Sequence, residues 1–223
     1  MAYGIADFQK WLDLKGASLA IDGKSGPATR AATLSVMTNL VAPAVTAQDI
    51  QAVADRLGCS VKQVNAVAKV ESAGGGFDNK GRPKILFERH YFHRLTDGKW
   101  SVSRFSNPSP GGYSEDSWSK LLDAAAKDPW AAFQAASWGK FQVMGAHWET
   151  LGYESPWEMA WAMRQSEAGH YDALARYVEA FGLAGAMRQI STNPETCRAF
   201  AKGYNGPGYL TYSYHTKLAK AML

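Results

Sequence analysis

The chain has 223 residues, a formal net charge of +4, 46% hydrophobic residues and 20% charged residues. That balance excludes a disordered chain, and the lack of a strict short repeat excludes collagen-like and coiled-coil classes. The length allows one good core with residues left for a small extra module.

The longest uncharged run, 31–48, contains Asn39, Pro43 and several hydroxyl residues. A bilayer span needs about 20 mostly apolar residues, so no span is expected. Asp7, Lys10, Asp13 and Lys15 leave no apolar segment for a secretory signal. Two cysteines, Cys59 and Cys197, are too few for a disulfide framework and read as free thiols, with a single bridge left open. No basic cluster or recognition motif points to nucleic acid. The modest positive charge suits an anionic polymer.

In chain order, Phe8, Trp11, Leu12 and Lys15 share one helical face. Residues 21–27 form a turn cluster, and Pro27 opens a second helix to about Leu40. Residues 41–45 read as a linker. Thr46-x-x-Asp49 and Ser60-x-x-Gln63 open two further helices, the first ended by Gly58 and the second by Ser72 through Gly76. Residues 77–117 are loop-rich, with Ile85 to Phe87 either a strand or a helical turn. Helices are expected at 117–127, after Asp128-Pro129, from Ser155-Pro156 to about Phe181, from Asn193-Pro194 to Gly203, and on to the C-terminus. Without long alternating runs, no extended sheet is expected.

Glu71 stands out. Val64, Val67, Ala68 and Glu71 fall on one face of the helix, so a carboxyl continues an apolar stripe. Apolar surroundings disfavour its charged form and would raise its pKa, as a general acid requires. The glycines after it would let a bulky substrate approach. The bland alternative is a helix-end Glu that swings into solvent.

Three segments carry a resemblance: Val70 to Phe77 around Glu71-Ser72, Ser137 to Gly145 around Gln142-Val143-Met144, and Phe200 to Tyr209 around Tyr204-Asn205. In this order they resemble the lysozyme-like superfamily. With Ile85 to Phe92 and Pro110-Gly111-Gly112-Tyr113, they are similar to the N-acetylmuramidase domain of phage endolysins, over about 46–223. Separately, Asp22, Gly23, Gly26 and Thr29 resemble the Asp-Gly-x-x-Gly-x-x-Thr hallmark of a helical peptidoglycan-binding module. That family's closing Phe-Gln is replaced here by Leu34-Ser35-Val36-Met37. The resemblance divides the chain into a wall-binding module at 1–43 and a catalytic domain at 44–223, both mainly α-helical.

The resemblance implies cleavage of the β-1,4 bond between N-acetylmuramic acid and N-acetylglucosamine, with Glu71 as general acid. Glu88 is the candidate second carboxylate, kept ionised by adjacent Arg89, or else a structural ion-pair partner. Asp78 and Asp97 are the backups. Gln142 is expected to hydrogen-bond the sugar, with Trp138 and Phe141 packing on a ring face and Tyr204 and Asn205 opposite. His90-x-x-His93 has no further ligand nearby, so no metal or cofactor is expected. The same fold running lytic transglycosylase chemistry, giving 1,6-anhydro ends, is the first rival, and a non-catalytic wall-binding protein the second. The expected setting is a monomer held in the host cytoplasm, let out by a holin-type membrane lesion, and acting on periplasmic peptidoglycan.

Overall fold

The computed structural model describes residues 3–72 and 74–223. Helices α1 (Ile5–Leu14), α2 (Pro27–Met37), α3 (Ala47–Leu57) and α4 (Val61–Glu71) come first. Strand β1 (Ile85–Phe87) and helices α5 (Arg89–Leu95), α6 (Ser117–Ala125) and α7 (Pro129–Gln134) follow. Strands β2 (Ala136–Trp138) and β3 (Val143–Met144) form a hairpin, and α8 (Pro156–Gln165), α9 (Glu167–Ala180), α10 (Ala184–Arg188), α11 (Pro194–Asn205) and α12 (Tyr214–Ala221) complete the chain. The strands make one small antiparallel sheet in the order β1-β2-β3, with Leu86 opposite Ser137 and Trp138 opposite Val143.

Most helix starts follow from local chemistry. The Thr46 hydroxyl accepts the Asp49 N–H while the Asp49 carboxylate accepts the Thr46 N–H, and Ser60 and Gln63 do the same for α4. Asp128, Ser155 and Asn193 cap α7, α8 and α11 with their side chains, each followed by Pro at the first helical position. Gly58 ends α3 at φ 64°, a left-handed conformation that suits glycine.

Two departures from the expected helix boundaries have a packing cause. The helix expected from Ser155 to Phe181 is two helices, broken at Ser166. That residue is extended, and its hydroxyl accepts the Gly169 N–H to cap α9. Gly169 lies so close to α8 that a Cβ there would stand 2.3 Å from the Ala162 carbonyl oxygen. Close packing of the two helices, rather than helix propensity, sets the break. Likewise α11 does not stop at Gly203 but runs to Asn205 and ends at Gly206, whose φ is 68°. Gly203 instead receives Leu183, since a Cβ there would lie 2.4 Å from the Leu183 Cδ2.

Residues 3–43 share the core of the rest. Phe8 lies 5.4 Å from the Phe133 ring and 5.0 Å from that of Trp157, centroid to centroid. The Trp11 indole donates to Glu158 at 2.8 Å, and Arg30 pairs with Asp123 at 2.7 Å. The segment expected as a linker is bonded to the start of α9: the Glu167 N–H donates to the Pro43 carbonyl, and the Val45 N–H donates to the Glu167 carboxylate.

Within this N-terminal hairpin, Gln9 is buried and organises the turn. Its amide donates to Asp22, to the Lys24 carbonyl and to Thr29, and its carbonyl accepts the Gly23 N–H. Gly23 has φ 69°, and Gly26 caps α2 ahead of Pro27. Asp22, Gly23, Gly26 and Thr29 are thus accounted for by turn chemistry around one buried amide. Cys59 and Cys197 are both free thiols. Among the described residues no helix is long and apolar enough to cross a membrane.

The α8–α9 contact leads to an expected outcome. Gly169→Ala forces a methyl group into the Ala162 carbonyl and should lower unfolding stability by about 1–3 kcal/mol, the usual range for overpacking. Urea unfolding at neutral pH measures it, and an unchanged midpoint would show that the two helices can spread.

Candidate functional site

A cleft of about 480 Å³ opens where α4 ends. Glu71 and Gly75 form one part of its wall; Lys84, Ile85 and Leu86 of β1 and its approach form another. Gly139, Lys140 and Gln142 come from the β2–β3 turn, and Asp116, Ser117 and Trp118 from the start of α6, with Asp78 at the edge. The small sheet and two helix ends therefore converge on one space, although their residues are far apart in sequence.

Glu71 is the last residue of α4, where the helix dipole is negative and disfavours another negative charge. It is partly buried, and desolvation pushes its pKa from 4.5 to about 7. Two groups act the other way: the Asn205 amide donates to Oε1 at 3.0 Å, and the charge of Lys217 on α12 favours the carboxylate. Desolvation prevails because a single hydrogen bond does not replace the water a carboxylate loses. The helix ends in Ser72, whose hydroxyl returns to the Ala68 carbonyl.

The two walls flanking Glu71 meet at a buried histidine. His170 Nδ1 accepts the Lys140 N–H at 2.7 Å, while Nε2 lies 2.7 Å from the Met163 carbonyl. One nitrogen accepting and the other donating requires the neutral ring, and burial holds its pKa down at about 4. The ring packs so tightly that a Cβ on Gly76 or Gly139 would fall 2.3 or 2.4 Å from Nδ1. The Lys140 ammonium adds bonds to the Gly74 carbonyl and to Glu167. The glycine loop after Glu71 and the β2–β3 turn are thereby fixed to each other. Sequence reasoning missed His170, because a lone histidine in an apolar helix carries no distinctive local pattern.

The sequence-predicted residues sort by geometry. Glu71 and Asn205 are brought together. Gln142 borders the cleft, but at φ 50° and with its amide turned into its own hairpin: Oε1 accepts the Ser137 hydroxyl and Nε2 donates to the Gly139 carbonyl, both at 2.8 Å. Its amide therefore first shapes the turn. Tyr204 lies near Glu71, whose charge helps push the phenol pKa up, but its hydroxyl donates to the Phe141 carbonyl at 3.0 Å.

Three expectations are corrected. Trp138 is fully buried, stacked on Phe133, with its indole N–H on the Phe133 carbonyl. Phe141 is 3% exposed and sits edge-on to Tyr171. Both rings hold the sheet on the helices instead of facing the cleft, since β2 is covered on both sides. Glu88 does not border the cleft either. It accepts the Tyr113 hydroxyl at 3.0 Å and faces His90, while Arg89 turns away to the carbonyls of Ser109 and Pro110.

Of the backups, Asp78 reaches the cleft edge but is held by Arg82. Asp97 lies in a separate depression with His90 and His93. Among the described residues no three His, Cys, Asp or Glu side chains group as a metal site. Asp116 is a cleft residue that sequence reasoning overlooked. Its signal was the Asp-Ser-Trp-Ser start of α6, legible only as a helix cap.

The raised Glu71 pKa ties stability to pH. A carboxyl whose folded pKa lies above its unfolded value stabilises the fold most below pH 4.5 and loses that contribution as pH rises through about 7. The loss amounts to roughly 3 kcal/mol for this shift. Glu71→Gln keeps the shape and the Asn205 contact without the charge. It should match wild-type stability near pH 4 and exceed it above pH 8. Denaturant unfolding of both proteins across this range measures the crossover, and a constant difference would contradict a desolvated Glu71.

The crystal structure of the Burkholderia AP3 phage endolysin is similar over 100% of this chain and 96% of its own, with a TM-score of 0.73 and 32% sequence identity. No curated protein matches the chain. The architecture is the mainly helical, lysozyme-like one. The N-acetylmuramidase family matches residues 60–223, from the cap of α4 through the sheet to α12. With the match spanning Glu71, the cleft and Asn205, the chain belongs to the N-acetylmuramidase family.

Proposed function

We propose that this protein hydrolyses the β-1,4 bond between N-acetylmuramic acid and N-acetylglucosamine in peptidoglycan, with Glu71 as general acid. The observation that carries the reading is a carboxyl with a pKa of about 7 at the wall of an open cleft. Such a group holds its proton near neutral pH and gives it readily to a departing glycosidic oxygen. Asn205 fixes the direction of Oε1 and becomes the donor that steadies the carboxylate once the proton has left. Gly75, where a Cβ would meet nothing within 4 Å, leaves room for the sugar chain at the cleft wall beside the acid. Family membership supports peptidoglycan as the substrate.

The similar solved structure is that of a phage endolysin. By that likeness we assign this chain to host-cell lysis, with storage in the host cytoplasm, holin-type release and action on the periplasmic wall. Residues 1–43 would add contacts to the same polymer and raise its local concentration at the cleft.

One observation favours a second reading. Glu88 lies outside the cleft, and a lytic transglycosylase needs only one acid, because the 6-hydroxyl of the muramic residue attacks C1 and leaves a 1,6-anhydro end. Mass spectrometry of fragments released from purified peptidoglycan separates the two. The hydrolase gives reducing muramic ends; anhydro ends would overturn it.

Two kinetic outcomes follow from the role of Glu71. Glu71→Gln should lose about 100- to 10,000-fold in kcat, the usual contribution of a general acid. The wild-type rate should decline on the alkaline side through the Glu71 pKa of about 7. A fully active Gln variant would end the assignment.

A further inference from the structure

Hydrolysis with an acid on one side of the bond needs a second carboxylate for the water or the anomeric carbon. The structure narrows the choice. Glu88 is engaged by Tyr113 outside the cleft, and Asp97 lies in another depression. Asp78 reaches the cleft edge, but four donors occupy its oxygens: the N–H groups of Lys80 and Arg82 on Oδ1, and the Arg82 Nε and Nη2 on Oδ2. No lone pair is left for a water's proton.

Asp116 differs from all of them. It borders the same cleft as Glu71 and is solvent-exposed. Its Oδ2 accepts the Ser119 N–H at 2.7 Å as the cap of α6. The Ser119 side chain bonds the same carboxylate, so Ser119 supplies two donors where a carboxylate has about four lone-pair sites. The cap fixes the side chain while lone pairs of the exposed carboxylate stay available to the cleft, and the helix start favours its ionised form.

Resting on the hydrolytic reading above, we propose that Asp116 is the second catalytic carboxylate, the base that takes a proton from the attacking water. The water oxygen forms the new bond to C1 of the muramic residue and loses a proton to the Asp116 carboxylate. The bond from C1 to the glycosidic oxygen breaks, its electron pair stays on that oxygen, and Glu71 supplies the proton there. Solvent then returns both carboxyls to their starting states. The two groups are electrostatically divided as this requires. The Ser119 bonds and the charges of Arg82 and Lys80 hold Asp116 below the usual carboxylate range, while Glu71 is raised to about 7.

Asp116→Asn and Asp116→Ser test this without removing the cap, because both residues cap helices well but neither accepts a proton. Thermal midpoints should stay within a few degrees of wild type. The expected result is a fall in kcat of about 100-fold or more with KM nearly unchanged. Added azide should restore turnover of the Ser variant and yield a muramyl azide, since the small anion attacks C1 without needing a base. Wild-type rates in both variants, with reducing ends still released, would reduce Asp116 to a helix cap and leave the hydrolase reading standing. A slow variant with a lowered midpoint and no azide adduct would also overturn the proposal. Anhydro ends from the wild-type protein would instead remove the hydrolytic reading on which the proposal rests.

Discussion

The molecule must keep a carboxyl group partly out of water at the negative end of a helix. Neither burial nor the α4 dipole favours the charge of Glu71, and among the described residues the Asn205 amide and the Lys217 ammonium oppose them. That arrangement needs three helices in register. Helix α4 carries the acid, α11 brings Asn205 at its last residue, and α12 packs on both. Ending α11 at Gly203 would remove Asn205 from the helix that aims it. Running on to Gly206, whose backbone is left-handed, keeps it there.

The rest of the cleft depends on how its walls are joined. His170 binds the Lys140 amide with one nitrogen and the Met163 carbonyl with the other, and its ring fills space that only glycine at 76 and 139 leaves open. A neutral imidazole thus fixes the loop after Glu71 to the turn that carries Gln142. Gln142 occupies a left-handed backbone conformation unusual for its residue type, and its own amide bonds to Ser137 and Gly139 hold it there. The strain lies in the cleft wall, where a fixed backbone shape is of use to a polymer-binding site.

The N-terminal hairpin illustrates how one motif admits two explanations. Asp22, Gly23 and Thr29 match a wall-binding hallmark, and all three are bonded to the buried amide of Gln9. The same residues meet the requirement of a tight turn between two helices. Phe8 and Trp11 beyond it pack against Phe133 and Trp157. Residues 3–43 are thus packed on the same core as the helices around the cleft.

Much of this was legible in the sequence, for a physical reason: helix caps, proline starts and apolar spacing act within a few residues. Thr46, Ser60, Asp128, Ser155 and Asn193 each open a helix where local chemistry places it. The apolar stripe through Val64, Val67 and Ala68 likewise set Glu71 against a core. The tertiary structure decided what depends on contacts across the chain. It broke α8 from α9 at a glycine contact, buried Trp138 and Phe141, and drew Glu88 to Tyr113. It also set Asp116, locally no more than a helix cap, in the same cleft as Glu71. Sequence determined which residues could carry charge, start a helix or turn the chain. Only packing decided which of them face the same space, because desolvation and proximity belong to the folded whole.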